Sequence, residues 1–152
     1  MTSDTQLIEL AVRTANTVHG KQVDKAGKPY ILHVHDVALR LDGTHERLTA
    51  YLHDTLEDCS LEHRRTVEST LSQMPGPVQR AVRLLTRDRT MTYQAYIERL
   101  ATDPLSRRVK IADLNSNLSF ERQEGLSDSL RERYEKARDF LCQVEGQYLQ
   151  GN

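Results

Sequence analysis

Cysteine is scarce: Cys59 and Cys142 stand alone, with no CxxC pair and no zinc-ribbon spacing. A disulfide framework and a thiolate metal site are both excluded, and two reduced thiols are expected. Tryptophan is absent and aromatics are only 5% of the chain, which argues against stacking platforms for single-stranded nucleic acid. Seven glycines and four prolines are too few for the many turns of an all-β sandwich. There is no excess of basic charge: 21 Lys and Arg against 22 Asp and Glu give a net charge of −1. Binding to nucleic acid driven by electrostatics is therefore not expected. No apolar run approaches the roughly 18 residues of a membrane span. The opening residues lack a basic segment followed by an apolar stretch, so a cytoplasmic location is expected.

What is present is helical periodicity over 152 residues, a length that suits one domain with one core. Asp4 or Thr5 is the expected cap of a first helix with Leu7, Ile8, Ala11, Ala15 and Val18 on one stripe. Gly20 ends it, and Lys21 to Pro29 reads as a loop rich in lysine. A second helix is expected from Tyr30 to Leu41, and a third from Thr44 through Leu56. Further helices are expected over Leu61 to Met74, Val78 to Leu85 and Thr92 to Thr102. Another runs from the Asp103-Pro104 cap to about Leu118, and a long amphipathic one starts near Ser127. There is no repeat and no linker. The fold class expected is all-α, a single bundle of seven or eight helices over residues 1–152.

All six histidines lie in the first half: His19, His33, His35, His45, His53 and His63. The run Leu52-His53-Asp54-Thr55-Leu56-Glu57-Asp58 concentrates ionisable groups among apolar neighbours. On a continuous helix His53 would stack over Glu57 and Asp54 over Asp58. Imidazole with carboxylate suits a borderline or hard divalent cation, which would offset the cost of burying the charges. An exposed acidic helix end is the plainer reading. A second dipeptide of the same kind, His35-Asp36, shows how little the dipeptide says alone. Downstream, Val109-Lys110-Ile111-Ala112-Asp113-Leu114 carries a lone carboxylate in an apolar run, with Asn117 one turn later. Asp113 could pair with Arg107, Arg108 or Lys110, or share a metal with His33, His53 and Asp54. Tyr93, Tyr96 and Leu100 read as core, Arg83, Arg87 and Arg89 as surface, and His63 as surface.

Three segments, Asp24-Lys25-Ala26-Gly27-Lys28-Pro29-Tyr30-Ile31-Leu32-His33, then Leu52 to Asp58, then Val109 to Asp113 with Asn117, resemble the HD superfamily of metal-dependent phosphohydrolases. The nearest branch is the RelA/SpoT-type hydrolases, including the small alarmone hydrolases. The likeness covers roughly residues 7 to 120. It implies a phosphohydrolase that removes the 3′-pyrophosphate from guanosine 3′,5′-bis(diphosphate), ppGpp, in the stringent response. It implies His33, His53, Asp54 and Asp113 as ligands of one divalent ion, usually manganese. It implies Glu57 and Asp58 as the acidic pair that directs or deprotonates the attacking water. Lys25, Lys28, Tyr30, Lys110 and Asn117 are then the residues for the nucleotide. Only His63 lies between Asp54 and Asp113 as a further histidine, which favours one metal over two.

Two departures from the family pattern stand out. Val34 follows His33 where proline is usual. Asp24 stands where the family carries an arginine that holds the guanine base, and an acidic residue there would repel phosphate. Another nucleotide or phosphorylated metabolite is therefore the alternative substrate, and a non-catalytic nucleotide- or metal-binding module the alternative function. The Glu57-Asp58 pair favours the enzyme. No nucleic-acid or membrane partner is expected, a homo-oligomer is open, and 152 residues leave no room for a synthetase segment beside such a domain.

Overall fold

The computed structural model describes residues 2–119 and 121–151. Among the described residues nine α-helices follow one another: α1 (Asp4–His19), α2 (Tyr30–Leu39), α3 (Thr44–Leu52), α4 (Thr55–Asp58), α5 (Leu61–Ser72), α6 (Gly76–Leu85), α7 (Tyr93–Leu100), α8 (Pro104–Asn117) and α9 (Asp128–Gln150). Eight of them have eight residues or more and α4 is a single turn, so the expected all-α bundle of seven or eight helices is what the chain forms. The described residues hold no strand beyond an isolated bridge between Val23 and Pro29.

Local chemistry sets most of the boundaries. Ser3, rather than Asp4 or Thr5, caps α1: its hydroxyl accepts from Gln6 N while the Gln6 side chain accepts from Ser3 N. Ser60, Thr92, Asp103 and Ser127 cap α5, α7, α8 and α9 by the first of these bonds alone, their side chains accepting from the backbone N–H three residues on. The turn between α1 and α2 closes through Gly27, whose φ of 82° is costly for any residue with a Cβ.

Two apolar clusters form the core. Leu7, Ala11, Leu48, Leu52, Val67, Leu71, Val78 and Val82 join α1, α3, α5 and α6. Val37, Ala50, Leu85, Ile97, Leu100, Val109, Leu114 and Leu141 join α2, α3, α6, α7, α8 and α9. Tyr51 and Leu105 touch both. The terminal helix docks by Ala137 and Leu141. Arg107 and Arg108 tie it further, reaching the Glu145 carboxylate at 2.6 and 2.9 Å. Those two arginines are therefore committed to α9, and the buried Asp113 takes its cation from Lys110.

The largest difference from the sequence expectation lies at the end of α3. The expected continuous helix breaks at His53 and Asp54, and Asp54 adopts φ −106° and ψ 0°, outside the helical basin. Two side chains take up carbonyls at the break: His53 Nδ1 donates to Ala50 O at 2.5 Å and Thr55 Oγ1 to Leu52 O at 2.7 Å. Glu57 and Asp58 thus lie on α4, one turn beyond the break. They do not continue the face of α3 as an unbroken helix would have them.

Candidate metal centre and nucleotide pocket

Three separate stretches of chain converge on one buried point. His33 comes from the middle of α2, His53 and Asp54 from the break between α3 and α4, and Asp113 from α8. One donor atom of each lies within 4.8 Å of the others, and three of the four residues are fully buried. Donors held roughly 2.0–2.2 Å from one ion stand at most about 4.4 Å apart, so the cluster is close to the geometry of a shared cation.

The contacts within the cluster are short. His33 Nε2 lies 2.8 Å from Asp113 Oδ1, and His53 Nε2 lies 3.0 Å from Asp54 Oδ2 and 3.4 Å from Asp113 Oδ1. His53 Nε2 is nevertheless a buried nitrogen without a hydrogen-bond partner. Because a carbonyl only accepts, the bond to Ala50 O places a proton on Nδ1, and in the neutral ring Nε2 presents a bare lone pair to the carboxylates. Ser116 Oγ stands 2.9 Å from His33 Nδ1 and can fix that ring in the same sense. Two imidazoles and two carboxylates, with no sulfur, form a donor set for a borderline or hard divalent cation. The residues present fit such an ion.

The charges hold one another. Burial pushes the His53 imidazole down, but the Asp54 and Asp113 carboxylates together outweigh it and hold the ring well above the usual histidine range. Burial would raise Asp54, and the His53 charge reverses that and keeps it low. Asp113 is likewise raised by burial and lowered far more by the Lys110 ammonium, 2.9 Å from Oδ2, and by His33 and His53. A cation arriving at His53 Nε2 needs the neutral ring, so its binding releases a proton.

Around the four donors lie most of the other residues expected at the site. The Tyr30 hydroxyl donates to Asp54 Oδ2. Asn117 Nδ2 donates to Asp113 Oδ1 at 3.3 Å. Glu57 Oε1 accepts from Arg87 N, and Asp58 Oδ2 accepts from Gln22 Nε2 at 3.1 Å. Burial and the Asp54 charge raise both carboxyls, against the pull of those hydrogen bonds. Lys25 and Lys28 are exposed on the outer turn, and Lys28 Nζ donates to Glu121 O at 2.9 Å. That turn is pinned from below by Gly125, where a Cβ would come within 2.8 Å of the Lys25 backbone.

Asp24 meets a partner that nothing in the motif pattern signals. Arg122, just past the end of α8, donates to Asp24 Oδ2 at 2.7 Å and to Asn117 Oδ1 at 3.2 Å, with its guanidinium 5.8 Å from the centre of the Tyr30 ring. Asp24 Oδ1 accepts from the backbone of Ala26 and Lys28, both at 2.9 Å. The acidic charge is thus neutralised inside the protein, and a guanidinium stands beside it. His19 was also missed as a neighbour of the site. It is buried, its Nδ1 is 2.8 Å from Gln22 Oε1 and 3.8 Å from Asp58 Oδ2, and its ring lies 5.0 Å from that of Tyr30. Ser116 could have been found, since it lies one turn from Asp113 on α8. Arg122 could not, because it lies beyond the helical period.

The second dipeptide lies outside the four-residue cluster, although the Ser116 hydroxyl that meets His33 also meets Asp36. His35 Nδ1 is 3.2 Å from the Tyr51 hydroxyl and Asp36 pairs with Arg40 at 3.0 Å. His63 is half-buried on α5 and is not part of the cluster. Both cysteines are free thiols. No helix among the described residues is long and apolar enough to cross a membrane.

A solved structure of a metazoan ortholog of SpoT, reported to hydrolyse ppGpp and to play a role in starvation responses, superposes with a TM-score of 0.68. It covers 95% of this chain and 88% of that one, at 22% sequence identity. The chain therefore shares the all-helical fold of that protein. In sequence, the chain is 30% identical over 119 residues to the guanosine-3′,5′-bis(diphosphate) 3′-pyrophosphohydrolase of Aquifex aeolicus (strain VF5). That match takes in 73% of this chain, which spans 17% of the length of that relative. No family model matches the sequence. Within this fold, the His and Asp cluster is a place where a metal ion can bind.

Proposed function

We propose that the protein is a metal-dependent phosphohydrolase that removes the 3′-pyrophosphate from guanosine 3′,5′-bis(diphosphate), with residues 1–152 read as one HD-type domain. The observation that carries the reading is the convergence of His33, His53, Asp54 and Asp113, from three distant stretches of chain, on one point. The similarity to two ppGpp hydrolases supports the substrate. Manganese is the ion proposed, as a single ion, since the described residues offer one cluster of this kind.

A divalent cation bound by these four side chains would acidify a water molecule and draw charge from a phosphoryl oxygen. The chain's own residues do the rest. Glu57, raised toward neutrality by burial, takes the proton of the water that attacks phosphorus. The bond to the ribose 3′ oxygen breaks, that oxygen leaves as a hydroxyl with the proton Glu57 returns, and pyrophosphate is released. Asp58, held by Gln22, keeps the water aligned. Lys110 holds the outer oxygen of Asp113, so that Oδ1 faces the cluster. Tyr30 fixes Asp54 by its hydroxyl, and Asn117 borders the ribose. Lys25 and Lys28 lie on the turn nearest the entering phosphates.

The neutralisation of Asp24 by Arg122 supports a phosphorylated substrate despite the acidic residue. The test is release of pyrophosphate from ppGpp and from a panel of other nucleotides, with manganese and after chelation. Manganese-dependent release from ppGpp is expected. Hydrolysis that persists unchanged in chelator, or no release from any nucleotide, overturns the proposal.

A further inference from the structure

The single turn of α4 is too short to hold its own shape, so its two carboxylates stand where other segments put them. Glu57 is held from the loop after α6, by Arg87 N. Asp58 is held from the turn after α1, by Gln22. The backbone of Gln22 is fixed in turn, its N–H donating to His19 O at 3.0 Å and its carbonyl accepting from Tyr30 N at 2.8 Å. Its side chain lies between a carboxylate and an imidazole. Nε2 is 3.1 Å from Asp58 Oδ2, and Oε1 is 2.8 Å from His19 Nδ1. His19 is the last residue of α1, only 1% exposed, and its ring lies 5.0 Å from that of Tyr30.

The chemistry of these three groups leaves one arrangement of protons. An ionised carboxylate only accepts, so the amide turns its NH2 toward Asp58. The amide oxygen then faces His19 and also only accepts, so His19 carries a proton on Nδ1. His19 Nε2 is buried without a hydrogen-bond partner, and a second proton there would be a buried donor with nothing to receive it. The ring is therefore neutral, with its one proton on Nδ1. Turned the other way, Gln22 would set its oxygen against the Asp58 carboxylate and repel it. The bond from Gln22 takes up Oδ2 of Asp58 and leaves Oδ1 for the water.

We propose that His19 is a positioning residue for the reaction: through Gln22 it fixes which oxygen of Asp58 faces the attacking water. Its part in turnover rests on the phosphohydrolase reading, while the relay from His19 to Asp58 rests on the hydrogen bonds alone. The buried end of α1 thereby acts on the chemistry although His19 lies outside the metal cluster.

Release of pyrophosphate from ppGpp by four variants tests the role. His19→Phe keeps a ring and removes the donor, and Gln22→Met keeps the length of the side chain and removes the amide. Each should lower kcat by roughly 10- to 100-fold, with KM and metal affinity unchanged. The two together should cost no more than Gln22→Met alone, since both cut one relay. His19→Asn puts an amide N–H where Nδ1 stood and should recover most of the lost kcat. A histidine that only filled space would give the opposite order, because Phe fills the site better than Asn. Nitrogen-15 spectra of the histidine rings in the full chain read the relay without any turnover. The His19 ring should show a protonated Nδ1 beside a bare Nε2, and Gln22→Met should lose that preference. Gln22 is only half-buried, so Gln22→Met and the ring spectra decide the matter if the His19 variants do not fold. Wild-type kcat in Gln22→Met, or His19→Phe more active than His19→Asn, overturns the role while the phosphohydrolase stands. A ring protonated on Nε2 overturns the relay whatever the activity. If no nucleotide is hydrolysed but the ring keeps its proton on Nδ1 only while Gln22 is present, the relay stands and the hydrolase reading falls.

Discussion

His35-Asp36 and His53-Asp54 are the same dipeptide in two settings. The first lies inside an unbroken helix, where consecutive side chains diverge by about 100°. Its histidine meets Tyr51, its aspartate meets Arg40 and the Ser116 hydroxyl, and Asp36 remains half-exposed. The second lies where α3 gives way to α4, and the backbone of Asp54 leaves the helical basin. The break turns two neighbouring side chains toward one point, and burial makes their charges depend on each other. A dipeptide is thus a site only where the backbone stops being regular and nothing else is available to satisfy the charges.

The largest contrast is expected from Asp54→Ala set against Asp36→Ala. The former should abolish both metal binding and hydrolysis, and the latter should change neither, as read by metal titration and pyrophosphate release. Equal loss in both would erase the distinction. Next in size, Glu57→Gln should keep the metal and lose turnover by roughly 10² to 10⁴. Full activity in that variant would remove the assigned base. Ser116→Ala, which frees the His33 ring, should cost about 10- to 100-fold in metal affinity at unchanged fold. The acid limb of the kcat profile sharpens the picture further. Burial and Asp54 raise the Glu57 carboxyl, and a base works only when deprotonated, so activity should fall as pH drops through a midpoint above the usual glutamate value. A midpoint at or below that value would point to another group. Smallest of all, Arg40→Ala removes an exposed ion pair beside the second dipeptide and should cost no more than about 0.5 kcal/mol in a denaturant melt, with hydrolysis intact.

The bundle was legible because its signals are local and periodic. Pro104, Gly27 and the apolar stripes mark helices and turns without reference to the rest of the chain. The meeting of His33, His53, Asp54 and Asp113 was legible from their residue types and from the resemblance of the segments that carry them, which also marked Tyr30 and Asn117. The break at His53 was not, since Leu52 and Leu56 continue the apolar stripe across it. Arg122 was missed for a different reason. It meets Asp24, far away in the sequence, and looks like an ordinary surface charge until the chain is folded. Arg87 read as surface for the same cause, while its Nε is in fact buried.

His33 and Asp113 stand 80 residues apart in the chain and meet at one point together with the turn after α3. An ion gripped there would be a rivet through three helices. Whatever it contributed to chemistry, it would also hold the fold shut by mass action, because the unfolded chain offers no preformed seat for it. The melting temperature should therefore climb with the concentration of the right cation and ignore the wrong ones. A thermal scan across divalent salts can rank the ions this protein selects before any substrate is in hand.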